Sequence, residues 1–354
     1  MKELNRKNIS TLPEAVRRFG WKDFRLPKEK DFPRTIHSSP SIVQIDNKIL
    51  LATRKVRNQS GTLNLDWRSN FSSIALYWMY FEEEVVIPIR EIMPEEVGTF
   101  LSVEDPRLNL VDDLIEVWAA AWFIRDSGQV VIRQVLVELN LQFDIVSVAI
   151  SEDPTTGIYR VEKNWCPVVG SNQYVYCADT DFVVIDRKKA GKPVVHGVDR
   201  DLIDQAKSSQ KTGIFSSNGL IWEYGEVHGG SQVLNVDGRN FAIFQSSVKV
   251  DYEDISEALY PRAYFVGAYE FERSPPHRIT RSTPEPIFRG SYDDEVSCGS
   301  TAITFPSGAL HRDGQILVSF GINDINSHIV SIPYEFFDRQ MTPFDCKIAI
   351  QSNP

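Results

Sequence analysis

Short runs rich in Val, Ile, Phe, Tyr and Trp, broken by polar turn residues, recur along most of the chain, a pattern that predicts a mainly β protein. Helical signals are few. Thr11 to Phe19 has Thr11 as a cap, Pro13 near the start and Gly20 as a stop; Asp199 to Ala206 is a second candidate, and Pro94 to Val97 a single turn. None is long enough to carry a crossover between parallel strands, which excludes a doubly wound α/β fold. Aligning the strand pairs about their polar turns brings out a recurring unit. Ser41 to Ile45 turns at Asp46-Asn47 into Ile49 to Leu51, and Leu108 to Val111 turns at Asp112-Asp113 into Leu114 to Trp118. Val168-Val169 passes through Gly170-Ser171-Asn172 into Tyr174 to Tyr176, and Val233-Leu234 passes through Asp237-Gly238 into Phe241 to Phe244. A fifth hairpin pivots on Asp313-Gly314. The five hairpins are nearly evenly spaced, with room for two further strands after each. The spacing predicts an all-β, five-bladed β-propeller over residues 36–354, preceded by a short helical N-terminal extension over residues 1–35. Two β-sandwich domains would show a similar strand density without the recurrence.

Composition narrows the setting. The chain has 354 residues, of which 42% are hydrophobic, so a sizeable core can form and disorder is excluded as the main state. There is no apolar run of membrane-spanning length, and the start, Met1 to Lys7, lacks a signal-peptide stretch. A soluble, cytoplasmic protein without membrane association is expected. Four cysteines, Cys166, Cys177, Cys298 and Cys346, are too scattered for a disulfide framework or a zinc site. His37, His196, His277, His311 and His328 show no metal-ligand spacing, and no metal is expected. The formal charge of -10 opposes binding to a phosphate backbone, so nucleic acid is not an expected partner. Oligomerisation with further copies of the chain is left open.

In a propeller the innermost strands line the axis, and residues at their starts converge from distant parts of the chain. The stretches before the five hairpins read His37-Ser38-Ser39-Pro40, Glu104-Asp105-Pro106-Arg107, Glu162-Lys163-Asn164-Trp165, Glu226-Val227-His228-Gly229-Gly230 and Ser297-Cys298-Gly299-Ser300. Carboxylates, cations, a histidine and an aromatic would thus share one pocket, the composition expected for a polyhydroxylated or anionic small molecule. Trp165 is a candidate to stack on a sugar ring, and Arg54 and Arg107 are candidates for an anion, which guanidinium matches bidentately.

Glu104-Asp105-Pro106-Arg107, with Ser39-Pro40-Ser41-Ile42 followed by Arg54, and Phe305-Pro306-Ser307-Gly308 with Phe320-Gly321-Ile322-Asn323-Asp324, resemble glycoside hydrolase family 130 over about residues 36–335. That family comprises β-mannoside phosphorylases and related mannosidases on a five-bladed propeller. Glu162 to Pro167 also looks like a segment of the wider propeller superfamily, some members of which resemble mannosyltransferases. The resemblance implies an enzyme that cleaves or forms a glycosidic bond of a mannose-type sugar in an oligosaccharide or glycoside. It makes Asp105 the general acid of an inverting reaction, and Arg54, Glu104, Arg107, Glu162, Lys163, Trp165, Glu226, His228 and Asp324 its substrate-binding residues. No resident cofactor is implied: inorganic phosphate would be a co-substrate of a phosphorylase and a sugar nucleotide the donor of a transferase. The chain departs from the family at Glu226 to Gly230, where a Gly-Pro-rich segment is usual, and at Gln245-Ser246, where a Tyr-His-Gly phosphate motif is expected. A hydrolase with Glu162 or Glu226 as base, a transferase, or a non-catalytic sugar-binding propeller fits those departures.

Other motifs have plainer readings. Glu152-Asp153-Pro154 before Thr155-Thr156-Gly157 is a surface turn, and so is Asp179-Thr180-Asp181, despite its likeness to the metal-nucleotide motif of glycosyltransferases. Gly229-Gly230 marks a close approach of backbones at the channel.

Overall fold

The computed structural model describes residues 21–23, 35–57, 71–83, 85–124, 128, 130–150, 163–179, 181–187, 213–249, 262–289, 303–324 and 326–344. A first strand, β1 (Trp21–Asp23), is followed by β2 (Thr35–Ile45), β3 (Lys48–Arg57), β4 (Phe71–Tyr80) and β5 (Val85–Ile92), which form blade I in that order. Blade II follows a one-turn helix α1 (Pro94–Val97) and holds β6 (Ser102–Val111), β7 (Leu114–Ile124), β8 (Val130–Leu139) and β9 (Ile145–Ile150). Blade III holds β10 (Cys166–Pro167), β11 (Gln173–Cys177), β12 (Asp181–Asp186) and β13 (Ile214–Asn218). In blade IV the inner position is split between β14 (Glu226–His228) and β15 (Leu234–Val236), which pair with β16 (Arg239–Lys249). Next come β17 (Arg262–Phe271) and its partners β18 (Ile279–Ser282) and β19 (Phe288–Arg289). Blade V holds β20 (Thr304–Arg312), β21 (Gln315–Ile322) and β22 (Asn326–Pro333), after which come helix α2 (Tyr334–Gln340) and β23 (Thr342–Pro343), an edge partner of β18. The five sheets are the five predicted blades.

The hairpins that announced the repeat join the first two strands of each blade. Asp46, Asp112, Asp237 and Asp313 all take a left-handed backbone, with φ of 51°, 50°, 48° and 51°. Asp tolerates that region better than most residues, and tight turns of this hand match the twist of the strands they join. Each blade is covered on both faces by its neighbours, so its middle strands read as continuous apolar runs. In β7, Val117 to Phe123 shows this, with Val117, Trp118, Ala119, Ala120 and Ala121 all buried.

The core lies between blades. Val43, Leu50 and Leu76 meet Leu108, Val117 and Val137 between blades I and II, and Trp118 and Leu136 meet Trp165 and Tyr174 between II and III. Phe182 and Val184 meet Phe244 and Phe271 between III and IV, and Phe241 and Val266 meet Val318 and Phe320 between IV and V. Ile42 and Leu51 meet Leu317 and Ile329 where blade V returns to blade I. Each such side chain, fully buried, contributes roughly 1.5–3 kcal/mol of transfer free energy. At the axis a buried Gln232 ties three blades: its Nε2 donates to the carbonyls of Ile42 and Ala309, and its Oε1 accepts from Ala309 N at 3.1 Å.

β1 pairs antiparallel with β22, Trp21 opposite Val330 and Asp23 opposite His328. Part of the stretch set apart as an extension is therefore the outer strand of blade V. The helices expected over Thr11 to Phe19 and Asp199 to Ala206 lie outside the described residues, as does the turn at Glu152-Asp153-Pro154. The turn expected over Pro94 to Val97 is α1, where Glu96 Oε2 accepts from Met93 N at 2.8 Å. Helix α2 was not signalled by the sequence. It is docked through buried Phe337 against Phe241 and through Arg281, which pairs with Asp338 Oδ1 at 2.7 Å and donates to Met341 O at 3.2 Å.

Among the described residues no helix is long and apolar enough to cross a membrane.

Candidate functional site

Midway along the first strands of blades I and II the ladder slips. The register of β2 shifts between Ser38 and Ser41, and that of β6 between Glu104 and Arg107. Each bulge is built alike, with Ser39 (φ 48°) and Asp105 (φ 54°) in the left-handed region directly before Pro40 and Pro106. Proline has no N–H to lose from the ladder, which makes it a natural bulge residue. A left-handed residue before proline is nonetheless costly, of order 1–3 kcal/mol. The two strained residues face each other across the blade boundary: Ser39 Oγ donates to Asp105 Oδ1 at 2.8 Å, with both residues buried. Asn164, at the entry to blade III, takes the same hand at φ 68°.

Four other predicted residues, Asp105 among them, gather around Glu104. Arg54 Nη2 lies 2.9 Å from Glu104 Oε2, and Glu104 also feels the charges of Asp105, Lys163 and Asp324. Burial pushes the Glu104 carboxyl up; Arg54 and Lys163 pull it down, and Asp105 and Asp324 push it up again. Three carboxyl groups thus share the field of two cations.

Arg107 corrects the sequence reading. Expected to bind an anion in the pocket, it is 1% exposed and its guanidinium is spent on the protein. Nε donates to Gly230 O at 2.6 Å, Nη1 to Asp105 O at 3.2 Å, and Nη2 to Gly229 O at 3.1 Å and to Asn164 Oδ1 at 3.2 Å. The guanidinium also lies 5.2 Å from the centre of the Phe305 ring. Arg107 therefore joins the bulge that carries Asp105 to blades III and IV. Trp165 corrects it too: it is 1% exposed and stacks on Tyr174 at 5.1 Å between blades, out of reach of a sugar ring. Glu162 lies outside the described residues.

Lys163 leads from the axial cluster into a cavity of about 480 Å³ between blades III and IV, within the range of small-molecule sites, roughly 300–1,000 Å³. Its wall holds Glu226 and His228, two residues singled out in the sequence, together with Tyr176, Asp179, Gln245, Ser247, Arg262 and Tyr264; Arg54, Glu104, Asp105 and Asp324 do not line it. His228 Nε2 lies 3.9 Å from Glu226 Oε2. Burial pushes the His228 imidazole down; the Glu226 carboxylate opposes this, and Lys163 and Arg262 push further down. The ring is therefore biased towards its neutral form. Gly229 closes the inner wall: a methyl group there would lie 1.8 Å from Asn164 O. This is the close backbone approach expected of the Gly229-Gly230 pair. The six wall residues from Tyr176 to Tyr264 come from β11, β16 and β17 and the turn after β11, not from the first strands on which the sequence reading concentrated. The polar run Gln245-Ser246-Ser247, which interrupts the apolar Phe241 to Phe244 of β16, is the signal that marks this wall.

No family model matches the chain, and no curated protein matches it. Solved structures do. The chain is similar to a β-1,2-mannobiose phosphorylase from Listeria innocua, with 13% identity, 89% of this chain and 94% of that one covered, and a TM-score of 0.57. It is similar to a mannose phosphorylase from Leishmania mexicana solved with a phosphate ion, with 14% identity, 94% of both chains and a TM-score of 0.55. It is also similar to a GDP-Man-dependent mannosyltransferase from Leishmania mexicana, with 14% identity, 91% and 94% coverage and a TM-score of 0.56. The five-bladed propeller of this chain is the fold of those mannose-acting proteins, shared over nearly their whole length at an identity that fits a distant resemblance.

Proposed function

We propose that the chain makes or breaks a glycosidic bond of a mannose-type sugar by a single inverting displacement, with Asp105 as general acid. The observation that carries this reading is the placement of Asp105: a carboxyl held in a strained bulge at the axis, one oxygen fixed by Ser39, beside the Arg54–Glu104 pair. Strain and a fixed carboxyl at the convergence of blades are what a group positioned for proton transfer looks like. Arg54, Glu104, Lys163 and Asp324 surround the ring whose C1–O bond is cleaved, and Arg107 and Trp165 hold the frame behind them. The Asp105 proton passes to the departing glycosidic oxygen, directly or through a sugar hydroxyl, while an oxygen nucleophile bonds to C1 from the opposite face. With phosphate the product is a sugar 1-phosphate. With water, Glu226 on the cavity wall is the base; from a sugar nucleotide, an acceptor hydroxyl bonds to C1 as the nucleoside diphosphate departs, and the hydroxyl proton passes to the ionised Asp105 carboxylate. No resident cofactor enters any of these steps.

Support comes from the fold, which among the similar proteins serves both phosphorolysis and mannosyl transfer. The test is product release from a panel of manno- and glucosides, run with and without inorganic phosphate and in parallel with sugar nucleotides. Turnover in any arm that is lost in Asp105→Asn supports the reading, and the arm that responds names the nucleophile. Binding without turnover in every arm would make the chain a sugar-binding propeller instead.

A further inference from the structure

We propose that Ser39 is a positioning residue for the acid: its hydroxyl engages Asp105 Oδ1, so that the proton of the reaction is given or taken at Oδ2. The proposal rests on the glycosidic reading of the axial cluster and adds to it which oxygen acts and what orients it. As the acid works, the O–H bond at Oδ2 breaks, its electron pair stays on the carboxylate, and the proton passes to the departing oxygen, directly or through a sugar hydroxyl.

Three observations carry it. The first is strain. Ser39 keeps a left-handed backbone, φ 48°, directly before Pro40. Gly, Asn and Asp occupy that region more readily than serine, so the position holds a side chain that its backbone disfavours. Such outliers persist where the surroundings over-determine them, and they gather at functional sites. The second is the clamp around it. The Pro40 carbonyl accepts from Ser307 Oγ at 2.7 Å and Ser319 Oγ at 2.6 Å on blade V, and Ser41 Oγ accepts from Leu108 N at 2.9 Å on blade II. The two residues after Ser39 are thus tied to both neighbouring blades, and its hydroxyl is delivered to Asp105 Oδ1 at 2.8 Å from a fixed frame. The third is the division between the two carboxyl oxygens. Ser39 is 1% exposed, so its hydroxyl serves Asp105 and not a ligand. Asp105 Oδ2 accepts from no described residue and is not sealed from solvent. In a protonated carboxyl one oxygen accepts and the other carries the proton; with Oδ1 accepting from Ser39, the proton falls to Oδ2.

The test compares Ser39→Gly and Ser39→Ala, each in the wild-type and the Asp105→Asn background. It reads kcat and KM on the substrate of whichever arm of the panel turns over, beside urea unfolding of every variant. Glycine suits the left-handed backbone and alanine does not, but neither has a hydroxyl. Both should lose about ten- to hundredfold in kcat, with KM within about twofold of wild type, as expected when a reacting group is misaimed and binding is kept. The urea midpoint should fall in Ser39→Ala and stay closer to wild type in Ser39→Gly, so that rate follows the hydroxyl while stability follows the backbone. In the Asp105→Asn background Ser39→Gly should cost no further rate, because the hydroxyl acts only through the carboxyl. A kcat for Ser39→Gly within twofold of wild type would overturn the proposal. So would a rate loss confined to the less stable variant, or one that recurs in full without the Asp105 carboxyl; in all three cases the loss of turnover in Asp105→Asn alone shows that the axial reading still stands. Silence in every arm, or turnover kept in Asp105→Asn, brings both readings down together.

Discussion

Asp105→Asn separates the chemical role of the residue from its structural one. Asparagine has the same shape, tolerates the left-handed backbone that Asp105 occupies at φ 54°, and can accept the Ser39 hydrogen bond through its amide oxygen. What it lacks is a transferable proton. Loss of a positioned general acid typically costs about 10²–10⁴ in rate, or roughly 2.7–5.5 kcal/mol of barrier. Stability should change by less than about 1 kcal/mol, because the bulge and its contact are kept. The size of the rate loss should also depend on the leaving group. An alkyl glycoside, whose oxygen departs as a poor leaving group, should suffer the full loss, while an aryl glycoside with an acidic phenol needs little protonation and should lose much less. The assay is kcat/KM for a series of mannosides of graded leaving-group pKa, for wild type and Asp105→Asn, beside urea unfolding of both. A uniform loss across the series, or turnover of alkyl mannosides within tenfold of wild type, would remove Asp105 from proton transfer.

Three further outcomes are expected. Arg107→Met strands the carbonyls of Gly229, Gly230 and Asp105 in the interior and should lower unfolding stability by roughly 3–5 kcal/mol in urea; a loss under 1 kcal/mol would show that the hydrogen bonds do not hold the blades. Burial alone would raise the Glu91 carboxyl, but hydrogen bonds from Arg57, Ser73 and Lys55 hold it down at about 2, against 4.5 unperturbed. The stability it contributes is therefore present above pH 4.5 and lost as pH falls towards 2; Glu91→Gln should flatten the unfolding free energy measured across that window, and an unchanged slope would refute the pairing. Gly229→Ala places a methyl group on the Asn164 carbonyl, so mannobiose titration should show affinity falling at least tenfold even where circular dichroism finds the protein folded, and unchanged affinity would mean the wall moves freely.

The blade count was legible because the inner hairpins have to turn tightly, and tight turns leave Asp, Asn and Gly at set places such as Asp46, Asp237-Gly238 and Asp313-Gly314. Asp105 was singled out by the resemblance of Glu104 to Arg107 to a family motif; its Asp-Pro step alone reads as a turn, and the bulge that the structure shows there is shared by Ser39-Pro40. The direction in which a side chain leaves its strand was not legible. Arg107, two residues on, points into the interior because the bulge resets the alternation of faces, and no pattern in Glu104 to Arg107 announces where the ladder slips. Trp165 was misread for want of its neighbours: only the folded ring shows that Trp118 and Tyr174 already surround it. The far wall of the cavity comes from β16 and β17, whose polar positions look like ordinary strand positions until blade III is placed against them.

The pairing of β1 with β22 joins a strand near the start of the chain to one near its end. On a ribosome, β1 emerges first and has no partner until β22 has been made, so blades I to IV have time to assemble while the ring is still open. Closure is then a single late event that converts a row of stacked sheets into a circle, and it brings blade V, with its contacts to Pro40 from Ser307 and Ser319, against the bulge of blade I. The axial carboxyl cluster borders that seam. A chain stalled before blade V would carry Asp105 and every blade from I to IV and still lack Asp324, which faces Glu104 from blade V, so the cluster is complete only once the ring has closed.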